Sequence, residues 1–171
     1  TYLFPREVVP QNVVDKLTET FDSKIRDLDI GADINSVVVL ASILERESKT
    51  SQEKPIIAGI LLKRLKNNWP LQVDATVQYA VASKVCFKSL ECEWWPSLTR
   101  GDLDIISQYN TYTLRGLPHH PISNPGYYSI EAVLKSQDSP YWFYLHDGQG
   151  EVHYAKDIEE HNSNIQNFLG K

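Results

Sequence analysis

The spacing of apolar residues predicts a chain that is mostly helical. Near the start, apolar side chains recur at the three- and four-residue steps of one helix face, at Val14, Leu17, Phe21 and Ile25. A second helix is predicted over residues 36–49, with Asp33 or Asn35 capping its free N–H groups. Its first half is apolar on nearly every side, as in a helix buried at the centre of a domain. Thr50 and Glu53 then form a capping-box pattern before a third amphipathic helix.

The second half of the chain predicts shorter elements. Asp74 is a candidate cap for a short helix over residues 74–82, and a small helix follows at residues 99–102. Residues 109–126 predict a long loop rich in Pro and Gly, and loops of that length in compact domains are usually functional. Ser129 opens a further short helix.

Near the C-terminus, two short runs predict a β-hairpin. They cover residues 141–146 and 151–155 and are joined by the turn sequence Asp-Gly-Gln-Gly. A final helix is predicted from Asp157, with His161 on its apolar face as a hydrogen-bonded core histidine. The predicted fold class is α+β, a helix-rich single domain with a small antiparallel hairpin.

Composition and charge narrow the function classes. The chain has 171 residues, 42% of them hydrophobic, which is enough for a globular core. Its net charge of -5 provides no basic field, so we expect no nucleic-acid partner. The longest apolar stretch, residues 37–41, is too short to span a bilayer. The chain has no Met and starts within an aromatic phrase, TYLFP, so we expect it to be a piece of a longer protein.

Cysteine and histidine offer two further candidate chemistries. Cys86 and Cys92 fit either a small disulfide loop in an exported protein or two free thiols in a cytosolic one, and their spacing leaves both open. The histidine spacing fits no standard zinc pattern, so we expect no metal site at His119, His120, His146, His153 or His161. Paired aromatics usually pack within the protein, so this is the favoured role of Trp94 and Trp95, with sugar stacking as the alternative.

Two glutamates at the end of the second helix are the most informative residues. Glu45 and Glu47 are two positions apart and point about 200° apart on a helix, so only one can face a given cleft. Glu45 precedes Lys49 by four residues, which predicts an ordinary surface ion pair. Glu47 extends the apolar stripe of Val37, Leu40, Ile43 and Leu44, without a local cation. The basic residues of the third helix, Lys63, Arg64 and Lys66, are expected on a solvated face.

A carboxyl held against apolar side chains has a raised pKa and can act as a general acid. Glycosidic cleavage needs such a group, because the leaving oxygen must be protonated as charge develops at the anomeric carbon. The alternative for Glu47 is an ordinary carboxylate that reaches solvent or pairs with a distant Arg. Spacing alone leaves this choice open.

Four ordered sequence blocks resemble one family. The blocks ASILERES with IIAGILLKRL, LQVDATVQYA, QYNTYTLRGLPHHPISNPG and YWFYLHDGQGEVHYAKDIEEHN are similar to the catalytic region of the endolytic murein transglycosylases, the MltG (YceG-like) family. The resemblance covers nearly all of residues 1–171. It implies an enzyme that cuts peptidoglycan strands internally between N-acetylmuramic acid and N-acetylglucosamine and leaves a 1,6-anhydro-muramyl end.

The resemblance also implies a setting. The longer protein would carry a single-pass N-terminal membrane anchor and a LysM-like subdomain outside residues 1–171. The enzyme would act at the extracytoplasmic face of the cytoplasmic membrane, with cell-wall synthases such as penicillin-binding proteins as candidate partners. The competing functions are a muramidase that adds water and a non-catalytic glycan-binding scaffold.

Site residues follow from the same resemblance. The catalytic glutamate of the family falls in ERES and maps to Glu47, on a helix like the acid-bearing helix of lysozymes, with Glu45 as the alternative. No cofactor or metal is implied. Substrate contacts are expected at Gln72, Asp74, Thr76, Asn110, Thr111 and Tyr112, against the alternatives that Asp74 caps a helix and Asn110 bonds nearby backbone. The chain departs from the family pattern at Val73 and Ala75 and at His119-His120, near the presumed cleft.

Overall fold

The computed structural model describes residues 2–31, 33–89 and 91–170. In this part of the chain, helices dominate and a single hairpin follows them. The elements are α1 (Pro10–Ile25), α2 (Ile34–Glu47), α3 (Lys54–Lys66), α4 (Asp74–Cys86), a short 3₁₀ helix (Arg100–Asp104), α5 (Tyr127–Leu134), β1 (Phe143–His146), β2 (Val152–Ala155) and α6 (Ile158–Leu169). The predicted α+β class is confirmed. None of these helices is long and apolar enough to cross a membrane.

Helix α2 lies at the centre of the core. The side chains of Leu40, Ile43 and Leu44 are at most 2% exposed, and α2 packs against α3, α4 and α5. This packing on several sides explains why its first half is apolar all round. Asp33 caps the helix as predicted, since its carboxylate accepts a hydrogen bond from the Ser36 N–H at 3.2 Å.

The start of α3 differs from a reciprocal capping box. The Glu53 carboxylate accepts hydrogen bonds from the N–H groups of Lys49 and Thr50 and also lies 3.1 Å from His146 Nε2. Glu53 is buried by these contacts, and the helix begins one residue later, at Lys54. The Glu53 carboxylate therefore connects the turn after α2 with the end of β1. These segments are far apart in the sequence, so the local pattern does not predict the contact.

The basic strip of α3 is not a uniformly solvated face. Lys66 is exposed, but Arg64 is only 6% exposed and Lys63 donates a hydrogen bond to the Ser139 carbonyl oxygen at 2.5 Å. The prediction of a solvated strip is wrong for Arg64, because its guanidinium is buried where it donates hydrogen bonds to the backbone carbonyl oxygens of Leu71 and Trp142.

Helix α4 begins and ends differently from the prediction. Val73 is its N-cap residue, so Asp74 is the first helical residue and its side chain caps nothing. The helix continues to Cys86, four residues beyond Ala82, and Cys86 is joined to Cys92 by a disulfide with Cα atoms 5.4 Å apart. This pairing resolves the choice between bridge and free thiols. The predicted small helix is the 3₁₀ helix, which has a reciprocal capping box between Thr99 and Asp102.

The hairpin and α6 form the last layer. Strands β1 and β2 pair antiparallel, with Tyr144 directly opposite Tyr154. Asp157 caps α6 as predicted, accepting from the Glu160 N–H at 2.8 Å, and α6 packs across both strands. His161 of α6 stacks on Phe143, but its buried Nδ1 has no hydrogen-bond partner among the described residues. The prediction of a hydrogen-bonded histidine is therefore wrong.

Candidate active site

An open groove lies between the C-terminal end of α2, the start of α4, the hairpin and α6. Its volume is about 590 Å³, which lies within the range of ordinary ligand-binding clefts. The residues that line it are Glu47, Arg64, Gln72, Asp74, Tyr112, Phe143, Tyr144, Leu145, His146, Ile158, His161, Asn162, Ile165 and Leu169. Polar side chains at the start of α4 and in the loop before α5 form one wall of the groove. Helix α6 contributes the apolar side chains of Ile158, Ile165 and Leu169 to another.

Glu47 is the last residue of α2, and its carboxyl group faces the groove. Burial raises the pKa of this carboxyl, and the nearby Asp74 carboxylate raises it further. Three groups act in the opposite direction: the Tyr144 hydroxyl, the Ala75 N–H at the start of α4, and Arg64. The balance leaves the pKa above its ordinary value, which is what a proton donor requires.

Arg64 is close enough to influence Glu47 without forming an ion pair with it. Its guanidinium donates to the Trp142 carbonyl oxygen through Nε at 2.9 Å and Nη2 at 2.7 Å, and to the Leu71 carbonyl oxygen through Nη1 at 2.6 Å. These carbonyls direct the guanidinium away from Glu47, and no salt bridge within the described residues includes the Glu47 carboxyl.

Asp74, Gln72 and Tyr112 form the polar wall opposite Glu47. Asp74 and Gln72 are exposed, and the Tyr112 hydroxyl donates to Asp74 Oδ1 at 2.5 Å. The Gln72 backbone has a φ of 53°, in the left-handed region, and its N–H donates to the Thr111 carbonyl oxygen at 3.0 Å. Three of the expected substrate contacts, Gln72, Asp74 and Tyr112, therefore line the groove.

The other three expected contacts lie beneath the groove. Thr76, Asn110 and Thr111 are at most 2% exposed. Asn110 donates to the carbonyl oxygens of Leu103 and Ile105 at 2.8 and 2.9 Å. The hydroxyls of Thr76 and Thr111 are 2.9 Å apart. The prediction that these three residues contact substrate is therefore corrected. The two threonine hydroxyls join the 109–112 segment to α4, and the Asn110 side chain joins it to the end of the 3₁₀ helix.

Glu45 occupies a structural position on the other side of α2. Partial burial alone would raise its pKa, but hydrogen bonds from the Ser129 hydroxyl and the Gly126 N–H, with the Lys54 charge, lower it. Lys54 Nζ lies 3.6 Å from Glu45 Oε2. The predicted surface pair with Lys49 is wrong, because Glu45 instead anchors the N-terminus of α5, where N–H groups attract a negative charge.

With this geometry, the chain can be compared with known proteins. The sequence profile of the YceG-like family matches residues 1–167. The chain belongs to the YceG-like family. The crystal structure of a YceG-like protein from Listeria monocytogenes superposes with a TM-score of 0.79 at 32% identity, over 95% of this chain and 52% of that one.

Two curated relatives of this YceG-like chain are named endolytic murein transglycosylase. The Bacillus subtilis protein is 32% identical over 154 residues, which is 88% of this chain and 39% of that protein. The Streptococcus pneumoniae protein is 25% identical over 173 residues, 96% of this chain and 30% of that protein. The chain thus spans 30% to 39% of the length of these relatives.

The histidines and tryptophans of the YceG-like chain lie mostly outside the groove. No group of three His, Cys, Asp or Glu side chains in residues 2–31, 33–89 and 91–170 is arranged to hold a metal ion. His119 and His120 are exposed in the loop and do not line the groove. Trp94 stacks on Tyr79 at 5.6 Å between ring centroids, and Trp95 lies under the Arg46 guanidinium, so both pack within the protein.

Sequence reasoning missed the groove residues that come from the hairpin and α6. Tyr144 and His146 alternate along β1 and so share one face of the hairpin, toward the end of α2. The alternation was visible in the sequence, but only the packing shows what that face meets. Arg64 was missed because it stands between Lys63 and Lys66 in a run of basic residues, which is typical of a solvated helix face.

Replacing Glu45 with Gln should lower stability with little effect on the groove. We expect a loss of about 1–2 kcal/mol at pH 7, because the α5 N-terminus loses a charged acceptor. The folded pKa of Glu45 is depressed, so its contribution is complete above the unfolded pKa of about 4.3 and is lost as the pH falls through the folded value. Urea unfolding at pH 7 and at low pH measures the difference between the variant and the wild type.

The matched control is Glu131→Gln, which changes a carboxyl on α5 that pairs locally with Lys135. This control should leave the unfolding midpoint unchanged. A Glu45→Gln protein as stable as the control at pH 7 would contradict the anchoring role.

Proposed function

We propose that this chain is the catalytic region of an endolytic peptidoglycan lytic transglycosylase. The reaction cleaves the glycosidic bond between N-acetylmuramic acid and N-acetylglucosamine and leaves a 1,6-anhydro-muramyl end. One observation carries the proposal: the half-buried Glu47 carboxyl at the end of α2 faces an open groove, and within the described residues it has no ion-pair partner. The family and the names of the curated relatives support the same substrate class.

Glu47 serves twice in the proposed mechanism. The protonated carboxyl donates its proton to the glycosidic oxygen as the bond from the muramyl C1 breaks. The substrate's own 2-acetamido group supports the positive charge that develops at C1. Glu47, now a carboxylate, removes the proton of the muramyl 6-hydroxyl as that oxygen bonds to C1. The proton that leaves in the first step is thus recovered in the second, and the scheme uses no cofactor.

The groove walls suggest how a strand would be held. Gln72, Asp74 and Tyr112 offer hydrogen-bond groups to the hydroxyl and acetamido groups of the sugars. On the other side, Ile158 and Ile165 of α6 give an apolar surface for the carbon–hydrogen faces of the rings. A groove that is open to solvent accepts an internal segment of a strand, which is the requirement for endolytic cleavage.

We place the reaction outside the cytoplasmic membrane, where peptidoglycan lies. The Cys86–Cys92 disulfide supports this placement, since disulfides persist in oxidising compartments. An N-terminal anchor in the full-length protein and an association with cell-wall synthases are part of the same proposal. They follow from the family resemblance.

Mass analysis of the products from purified glycan strands tests the function. We expect internal cleavage products that end in 1,6-anhydro-muramic acid, and no such products from Glu47→Gln. Reducing muramyl ends would indicate a muramidase instead. Strand binding without any product from the wild-type protein would indicate a non-catalytic scaffold.

A further inference from the structure

The Glu47 carboxyl has one side-chain hydrogen bond within the described residues. The Tyr144 hydroxyl donates to Glu47 Oε2 at 2.7 Å. Glu47 is the last residue of α2 and Tyr144 lies in β1, so the contact joins segments that are 97 residues apart. Tyr144 is held in place by the hairpin, where it pairs with Tyr154.

The carbonyl oxygen of a carboxylic acid is a better acceptor than its hydroxyl oxygen, so a phenol that donates to one oxygen favours that oxygen as the carbonyl. The acid proton is then favoured on the other oxygen. We propose that Tyr144 is a positioning residue, which holds Glu47 Oε2 so that Oε1 delivers the proton to the glycosidic oxygen and later accepts the proton of the 6-hydroxyl. This inference rests on the proposed function and adds a role that the mechanism above did not need.

The same hydrogen bond acts on the charge of Glu47. A donor strengthens its bond when its acceptor becomes a carboxylate, so Tyr144 favours the state that forms after proton transfer. Burial and the Asp74 charge raise the pKa of Glu47, and the Tyr144 hydroxyl lowers it. Tyr144 thus opposes the rise in the pKa of Glu47 that burial and the Asp74 charge cause. The pKa of Tyr144 itself is raised by burial and by Glu47, so the phenol remains a donor at neutral pH.

The other charged or titratable groups around this pair come from five parts of the chain. They are Arg64 on α3, Asp74 on α4, Tyr112 in the loop before α5, His146 at the end of β1 and His161 on α6. None of them is changed by removing a single hydroxyl at position 144, so a shift in the titration of Glu47 in such a variant reports the Tyr144 hydrogen bond.

Tyr144→Phe is the test, with Tyr154→Phe as its matched control. Tyr154 is the cross-strand neighbour of Tyr144, and its hydroxyl makes no hydrogen bond to Glu47. Each variant loses one hydroxyl from the hairpin and keeps its aromatic ring. The titration of Glu47 is followed by carbon-13 NMR of labelled Glu carboxyls, with the Glu47 signal assigned by its loss in Glu47→Gln.

We expect Tyr144→Phe to raise the titration midpoint of Glu47 by about one pH unit. The alkaline limb of kcat should move to higher pH by the same amount, and kcat should fall by about 10- to 100-fold. Tyr154→Phe should change neither quantity. The proposal is overturned if the wild-type protein forms anhydro products and Tyr144→Phe has the same Glu47 titration midpoint and the same kcat profile as Tyr154→Phe.

A second variant keeps the test decisive if Tyr144→Phe does not fold. Fluorotyrosine at position 144 alone retains the ring and the hydroxyl but is a stronger donor, so the midpoint should move down instead of up. An unchanged midpoint would overturn the proposal. If the wild-type protein forms no anhydro products, the proposed function is overturned. If the wild type is active but the variants at position 144 leave the Glu47 midpoint and kcat unchanged, only the role of Tyr144 is overturned.

Discussion

Replacing Glu47 with Gln should reduce kcat by about 10³-fold, which corresponds to about 4 kcal/mol of transition-state stabilisation. An amide has nearly the shape of the carboxyl but has no acidic proton to give to the glycosidic oxygen. It also cannot accept the proton of the 6-hydroxyl, so both proposed steps are lost together. Release of anhydro-muramyl products from purified strands, measured under single-turnover conditions, gives the rate.

The same variant should be at least as stable as the wild type. Burial raises the pKa of Glu47 in the folded protein, so the folded state binds more protons than the unfolded chain between the unfolded value of about 4.3 and the raised folded value. Wild-type stability therefore falls as the pH rises through this window, whereas Gln does not titrate. The melting temperature of Glu47→Gln minus that of the wild type should therefore increase as the pH rises through this window, and it should be constant at higher pH.

Two outcomes would contradict the role of Glu47. An active Glu47→Gln protein would remove it as the proton donor. A large drop in melting temperature would identify it as a structural residue. Glu45→Gln is the informative comparison, because it should lose stability and keep catalytic activity.

Replacing Arg64 with Met should have the largest effect on stability. The guanidinium is buried and donates to the backbone carbonyl oxygens of Leu71 and Trp142. It also lies over the rings of Trp69 and Phe143, with its central carbon 5.6 and 5.3 Å from the ring centroids. Met fills a similar length but leaves the buried Leu71 carbonyl and the partly buried Trp142 carbonyl without these donors, and an unsatisfied buried group costs about 1–3 kcal/mol.

We therefore expect Arg64→Met to lose about 3–5 kcal/mol and to melt roughly 10 °C or more below the wild type. Calorimetry or thermal unfolding followed by circular dichroism measures the change. Lys66→Met is the matched control on the same helix, and its exposed side chain should be replaced without a comparable loss of stability.

A second variant is needed if Arg64→Met does not yield folded protein. Arg64→Lys keeps the positive charge but loses the planar set of N–H donors, so it should show a smaller loss of stability. A melting temperature equal to that of Lys66→Met would show that the carbonyls are satisfied without Arg64.

Several elements could be predicted from local sequence because their causes are local. The caps at Asp33 and Asp157 and the capping box at Thr99 and Asp102 each join residues three positions apart. The hairpin follows from two alternating strand segments around a short turn. The cap expected at Asp74 failed because its carboxylate is held instead by the Tyr112 hydroxyl, 38 positions away.

The candidate site was predicted less completely than the fold. Glu47 and three groove residues, Gln72, Asp74 and Tyr112, lie where the sequence blocks indicated. Asn110 belongs to the same blocks but faces inward, where its side chain donates to the partly buried carbonyl oxygens of Leu103 and Ile105. A motif therefore indicates that a residue matters without showing whether it contacts the ligand or supports the residues that do.

The sequence by itself determined the helical periodicity, the hairpin and the position of two candidate acids on one helix. Only the tertiary structure decided which of the two glutamates faces the groove and which has a structural role. It surrounds Glu45 with donors from α5 and Lys54, and it places Glu47 in a groove with the Tyr144 hydroxyl. The physical reason is that helix periodicity reports which side chains share a face, whereas the pKa of a carboxyl depends on groups that are brought to it from distant parts of the chain.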